Sequence, residues 1–226
     1  MSESLLTDLT SFTVLAVGAH PDDIELGAGG FIYRLRKKLN ARVHFLILTH
    51  GRKSRKSPDE FDQDQRNRES IEAAGVLGIE TDDVTILDYE DCGLQSDLHL
   101  LIKEIEAMTS EKKFDIVLTH ASGDTHQDHR TMYDATIAGT RTFGGTVLLY
   151  QAPSTIPNEF RPTFFVDLKS DELEMKQRAI QKHVSQRDKA FMAEDRTRLM
   201  AHSWAGFFNT PEKLFEAFEV YKSFWN

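Results

Sequence analysis

The chain has 226 residues, 40% apolar and 28% charged, which suits a globular protein with one sizeable core. A net charge of −9 argues against a general nucleic-acid partner, and the single cysteine, Cys92, excludes an intrachain disulfide. No stretch approaches the roughly 20 apolar residues that insert in a membrane, and Met1-Ser2-Glu3-Ser4 carries acid where a secretory signal carries base, so a cytoplasmic location is expected.

Strands and helices alternate along the chain. Phe12 to Ala19 (FTVLAVGA) is a continuous apolar run, as in a central parallel strand buried on both faces. Gly27 to Asn40 reads as a helix, with Phe31, Ile32 and Leu35 on one face. Val43 to Thr49 is a second buried strand, and residues 51–63 form a polar loop. Helix resumes from about Asp64 to Leu77 and stops at Gly78. Val84 to Leu87 is a short strand, Leu98 to Met108 an amphipathic helix, and Phe114 to Thr119 another strand. Val147 to Tyr150 and Thr163 to Leu168 are further strands, followed by charged helical stretches at about Asp171–Gln186 and Arg187–His202. The pattern predicts an α/β fold, a Rossmann-like and mostly parallel sheet with helices on both faces. One domain over residues 1–226 is expected, with its core at about 12–186 and a helical extension at about 187–226.

Two clusters carry chemistry. Ala19-His20-Pro21-Asp22-Asp23 follows the first strand, and His126-Gln127-Asp128-His129 follows the strand ending near Thr119. Parallel sheets bring such strand ends together at one working edge. Pro21 holds His20 extended, so His20 sits just outside the sheet. Adjacent ionised carboxylates at Asp22 and Asp23 repel unless a cation lies near, and either can be the ligand. His126 and His129 are one helical turn apart, and Asp128 between them can hold an imidazole N–H. Two histidines and a carboxylate point to a hydrolytic zinc site; iron(II) suits the same donors.

With these motifs the sequence resembles the LmbE-like (PIG-L) zinc-dependent N-deacetylases. The A-H-P-D-D signature is Ala19 to Asp23, followed by Glu25-Leu26-Gly27-Ala28-Gly29-Gly30. An R-x-x-E…A…LG helix is matched by Arg66, Glu69, Ala73 or Ala74, and Leu77-Gly78. The H-P-D-H element appears with Gln127 in place of the usual proline, and a later pattern by Lys176, Ala179, His183, Ser185 and Gln186. Glu216 to Glu219 looks like the family's closing segment. The resemblance implies removal of acetyl from an N-acetylglucosamine-type small-molecule conjugate. It implies His20, Asp23 and His129 as zinc ligands and Asp22 as general base and then acid. It gives His126, as imidazolium, to the oxyanion, and Asp128 to orienting a histidine. Related enzymes often assemble, which makes a homo-oligomer an expectation too.

Arg66 is expected to reach substrate, with Asp91, Arg161 and His183 as further pocket residues and Asn158 beside Arg161. Lys53, Arg55 and Lys56 are solvated loop or, on the sharper reading, a phosphate clamp. Glu25 to Gly30 also resembles the glycine turn of S-adenosylmethionine-dependent methyltransferases. That turn should come directly off a strand, and it leaves the histidines without a role. A non-catalytic metal- or carbohydrate-binding module is a third reading, which the presence of Asp22 disfavours.

Overall fold

The computed structural model describes residues 12–52 and 62–224. Its centre is a seven-stranded sheet in the order β3-β2-β1-β4-β5-β7-β6. The strands are β1 (Thr13–Gly18), β2 (Arg42–Thr49), β3 (Val84–Tyr89), β4 (Ile116–His120), β5 (Thr146–Tyr150), β6 (Phe164–Asp167) and β7 (Phe215–Lys222). β1 to β5 pair in parallel, and β7 runs antiparallel to both β5 and β6.

The helices are α1 (Asp23–Lys38), α2 (Gln63–Val76), α3 (Leu98–Glu111), α4 (Gln127–Gly139), α5 (Ser170–Ile180) and α6 (Glu194–Ser203). Alternate residues of β1 divide between the two faces. Val14 and Ala16 pack with Ile24, Phe31 and Ile32 of α1, Ala73 of α2 and Leu173 of α5. Leu15 and Val17 pack with Leu101 and Ile105 of α3 and with Met132 and Ala135 of α4. This double burial explains the unbroken apolar runs of β1 and β2. Phe45 and Phe218 have no exposed surface, and each such side chain contributes roughly 1.5–3 kcal/mol of burial.

Local chemistry sets the helix ends. Asp62 accepts the Gln65 N–H at 2.9 Å and caps α2, while Gly78, at φ +85, takes the left-handed turn that follows it. α1 begins with Asp23 and Glu25 and ends with Arg36, Lys37 and Lys38, each sign matching the helix dipole.

Three expectations change. α1 starts at Asp23 and not Gly27, because Asp22 turns the chain straight into helix. Of the stretch Arg187–His202, only Glu194 onward is α-helix, since Ala193 is extended. Residues 215–222, placed in a helical extension, are instead strand β7 inside the sheet. Glu216 hid that strand from the pattern: its buried carboxylate is answered by Lys176 Nζ at 2.7 Å and by the N–H groups of Gly30 and Phe31 at 2.9 and 2.6 Å. The basic run Lys53, Arg55 and Lys56 lies outside the described residues.

The topology positions the site. β1 and β4 are neighbours, with Val14 opposite Ile116 and Ala16 opposite Leu118. From β1 the chain winds outward to β2 and β3; from β4 it winds the other way to β5. The crevice outside the carboxyl ends of such a pair is where open α/β sheets take ligands.

Candidate active site

Beyond Gly18, β1 gives way to Ala19-His20-Pro21-Asp22 and then α1. Asp22 has φ 98, a left-handed conformation that a side-chain-bearing residue adopts only when its surroundings hold it. Two hydrogen bonds hold it. The His20 N–H donates to Asp23 Oδ2 at 2.8 Å, and the buried Arg66 guanidinium donates to the Pro21 carbonyl at 3.2 Å. Across the crevice, β4 ends at His120, and His126 caps α4 by accepting the Asp128 N–H on Nδ1 at 3.2 Å.

Asp23 is the meeting point. Its Oδ2 lies 3.3 Å from His20 Nδ1 and 3.3 Å from His120 Nε2, and its Oδ1 lies 3.3 Å from His129 Nε2. Carboxylates back the rings: Asp128 Oδ2 is 3.1 Å and Asp91 Oδ1 3.3 Å from His20 Nε2, and Asp124 Oδ2 is 3.2 Å from His129 Nδ1. Donor atoms of Asp23, His120 and His129 fall within 4.8 Å of one another, as do those of His20, His126 and His129. His120 Nε2 also accepts the Ala19 N–H at 3.2 Å, so the neutral ring carries its proton on Nδ1. That lone pair is then taken, and Asp23 Oδ2, 3.3 Å from the same nitrogen, meets no hydrogen there; a cation near Asp23 relieves the contact. Imidazole nitrogen and carboxylate oxygen in this mix fit zinc or iron(II).

The electrostatics follow from burial. Asp22 is pushed up to about 6, chiefly by desolvation, against the pull of Arg66 and His183. Burial also disfavours charge on Asp23, but His129 and His120 outweigh it and hold the carboxyl well below its usual range. Burial opposes charge on His129 too, yet Asp23 and Asp124 raise it to about 9, whereas burial and the charge of His129 depress His120 to about 4.

A cavity of about 500 Å³ opens over this floor. His20, Asp22, Asp23, Asp91, His126, His129 and Arg66 line it, with Leu26, Pro153 and Phe191 on its apolar side. Asp128 stands behind His20, fully buried. Arg66 is 2% exposed and also donates to Ser185 Oγ at 3.2 Å, so it braces the turn as well as facing the cavity.

Three sequence expectations need correction. Arg161 is exposed and outside the cavity, its backbone N–H donating to Glu219, and Asn158 is outside it too. His183 is buried behind the site, its Nε2 3.3 Å from Glu25 Oε1, and does not line the cavity. His126 does line the cavity, where burial, then the charges of His20 and His129, lower its pKa. The glycine turn proposed for a methyltransferase is interior helix. A Cβ on Gly27 would sit 2.2 Å from the Tyr150 ring and one on Gly30 2.7 Å from Leu168, so these glycines let α1 press against its neighbours. Sequence reasoning missed His120, Asp124 and Glu25, and also Ser154, which lines the cavity with its Oγ 3.2 Å from His129 Nδ1. His120 gave a signal, as the polar residue closing the apolar run of β4, and Glu25 gave none.

Comparison with known proteins supplies the family and the shared fold. The family described as GlcNAc-PI de-N-acetylase (PIG-L) matches residues 15–139. The "uncharacterized deacetylase YaiS" of Escherichia coli (strain K12) is 32% identical over 178 residues, covering 76% of this chain and 90% of that protein. The diacetylchitobiose deacetylase of Thermococcus kodakarensis is 28% identical over 190 residues, covering 76% of this chain and 69% of the relative. Among solved structures, N,N'-diacetylchitobiose deacetylase from Pyrococcus horikoshii, complexed with an inhibitor, superposes with a TM-score of 0.76 at 22% identity, over 92% of this chain and 83% of that one. At that identity the likeness shows the shared fold.

Proposed function

The chain belongs to the GlcNAc-PI de-N-acetylase (PIG-L) family, and from that premise we propose that it is a metal-dependent deacetylase hydrolysing the acetamide of an N-acetylglucosamine-type conjugate. The observation that carries the reading is a strained, buried carboxylate, Asp22, beside three convergent imidazoles at the β1/β4 crevice. His20, Asp23 and His129 would hold a zinc or iron(II) ion, with His120 beside Asp23. When bound, the metal supplies Lewis-acid activation of water and of the amide carbonyl.

The rest is work for the chain's own groups. Asp22 takes the proton of the attacking water and returns it to the departing amine, and a pKa near 6 suits both halves of that exchange near neutral pH. Arg66, 3.8 Å from Asp22 Oδ2, and the bond to Pro21 keep the carboxylate aimed. Neutral His126, with Nδ1 occupied by the Asp128 N–H, carries its proton on Nε2 and donates from there to the oxygen that gains charge. Asp128 and Asp124 fix the orientations of His20 and His129. Leu26, Pro153 and Phe191 exclude water from the far side of the sugar.

The test is acetate release from a panel of N-acetylglucosamine conjugates, on chelator-stripped protein and on the same protein reloaded with one equivalent of zinc. Release that depends on the metal is expected, and the fastest conjugate identifies the substrate. Protein that holds metal and releases acetate from none of them would overturn the reading.

A further inference from the structure

The loop after β3 brings the chain's one cysteine to the wall of the cavity. Cys92 has φ 60, left-handed and strained for a residue with a Cβ, and two bonds to the first turn of α4 hold it there. Its N–H donates to Asp128 Oδ2 at 2.7 Å, and its carbonyl accepts from Gln127 Nε2 at 2.5 Å. Gln127, the departure from the usual proline of the His-x-Asp-His element, thus serves as a staple.

The staple creates a second donor set. One atom each from Cys92, His126 and Asp128 lie within 4.8 Å of one another. None of the three residues belongs to the set His20, Asp23 and His129, nor to the neighbour His120, so two ions have separate donors. Thiolate, imidazole and carboxylate together suit zinc, cobalt(II) and softer divalent ions. The coordination capacity is there. Asp128 Oδ2 serves Cys92 and His20, while among the described residues Oδ1 accepts the Leu94 N–H alone, at 3.3 Å, which leaves it a lone pair. His126 can ligate through Nε2 if its proton moves to Nδ1, giving up the cap bond to the Asp128 N–H. The Cys92 thiol, held up to about 11 by burial and by Asp91, must release its proton to solvent as the metal–sulfur bond forms. Both requirements make this the weaker of the two sites.

We infer that Cys92, His126 and Asp128 form a second divalent-cation site beside the first, and that filling it switches the protein off. The ion would occupy the His126 Nε2 that serves the reaction and pull on the carboxylate that orients His20. The site rests on geometry alone; its inhibitory effect rests on the deacetylase reading.

The experiment starts from full-length protein holding one equivalent of zinc and titrates in cobalt(II). A second equivalent should bind, with a thiolate-to-cobalt charge-transfer absorption in the near ultraviolet and one proton released per ion. Acetate release from an N-acetylglucosamine conjugate should fall at least tenfold as that band grows. Cys92→Ser should abolish the band and weaken second-ion binding tenfold or more while still holding the first equivalent. Gln127→Ala, which frees the loop and keeps the thiol, should weaken the second ion severalfold. A stoichiometry fixed at one, or a second ion bound without the band, overturns the site. A band that grows while deacetylation continues undiminished overturns the switch. A band on protein that deacetylates nothing supports the site and counts against the deacetylase reading instead.

Discussion

Two buried polar networks share helix α1, and they are built on opposite terms. On its flank against the sheet, every charge is answered: Lys176 pairs with Glu216, Glu216 also takes two helix N–H groups, and Glu172 is gripped by Arg34 and Lys38. At its N-terminus the accounting is left open. His120 Nδ1, His183 Nδ1 and Glu25 Oε2 are buried without hydrogen-bond partners among the described residues, and Asp22 is strained, with its pKa raised to about 6 by burial. Satisfied networks hold a fold together, while unsatisfied ones mark where a ligand or a reaction completes the set.

Breaking each network should therefore fail in a different way. The largest effect is expected from His129→Ala, which removes a proposed metal ligand. One-equivalent metal binding should be lost along with acetate release; metal analysis showing full retention would remove His129 from the ligand set. Glu216→Ala should do the reverse. It leaves the Lys176 ammonium buried without its partner, at a cost of about 3–5 kcal/mol read as a lower denaturation midpoint. A midpoint unchanged within error would mean that the satisfied network holds little.

Asp124→Asn sharpens the contrast from within the site. It weakens the hold on the His129 ring, and metal affinity should drop by about 10–100-fold. Equal affinity in variant and parent would make the contact incidental. The smallest effect concerns Glu172, whose partners Arg34 and Lys38, with a backbone N–H, depress its carboxyl to about 2 against the opposing effect of burial. A depressed folded-state pKa contributes stability that is present above the unfolded value, near 4.5, and lost as pH falls toward 2. Discounted for the solvent reaching Arg34 and Lys38, it amounts to about 1–2 kcal/mol. The stability gap between the parent and Glu172→Gln should close between pH 4.5 and 2, and a gap constant with pH would contradict the assignment.

The sequence made the open network far more legible than the closed one. His20, Asp22, Asp23, His126, Asp128 and His129 stand in two short motifs at strand ends, and parallel topology is enough to predict that they meet. His120 is hidden because it closes an apolar run, where register, not composition, decides which way a side chain points. His183 and Glu25 find each other only through the packing of α5 and the turn after it against α1. Glu216 shows the limit most plainly. A charged residue at a buried strand position contradicts any pattern of alternation until its partners, which come from α1 and α5, are known.

The central claim is that Asp22, held in a left-handed turn over the metal ligands, moves the proton. The direct measurement compares Asp22→Asn with the parent, each carrying one equivalent of zinc confirmed by metal analysis, in acetate release from the best N-acetylglucosamine conjugate. The account predicts that the variant keeps its metal and loses about 10²–10⁴-fold in rate. A metal-loaded variant that releases acetate at near the parental rate would contradict it.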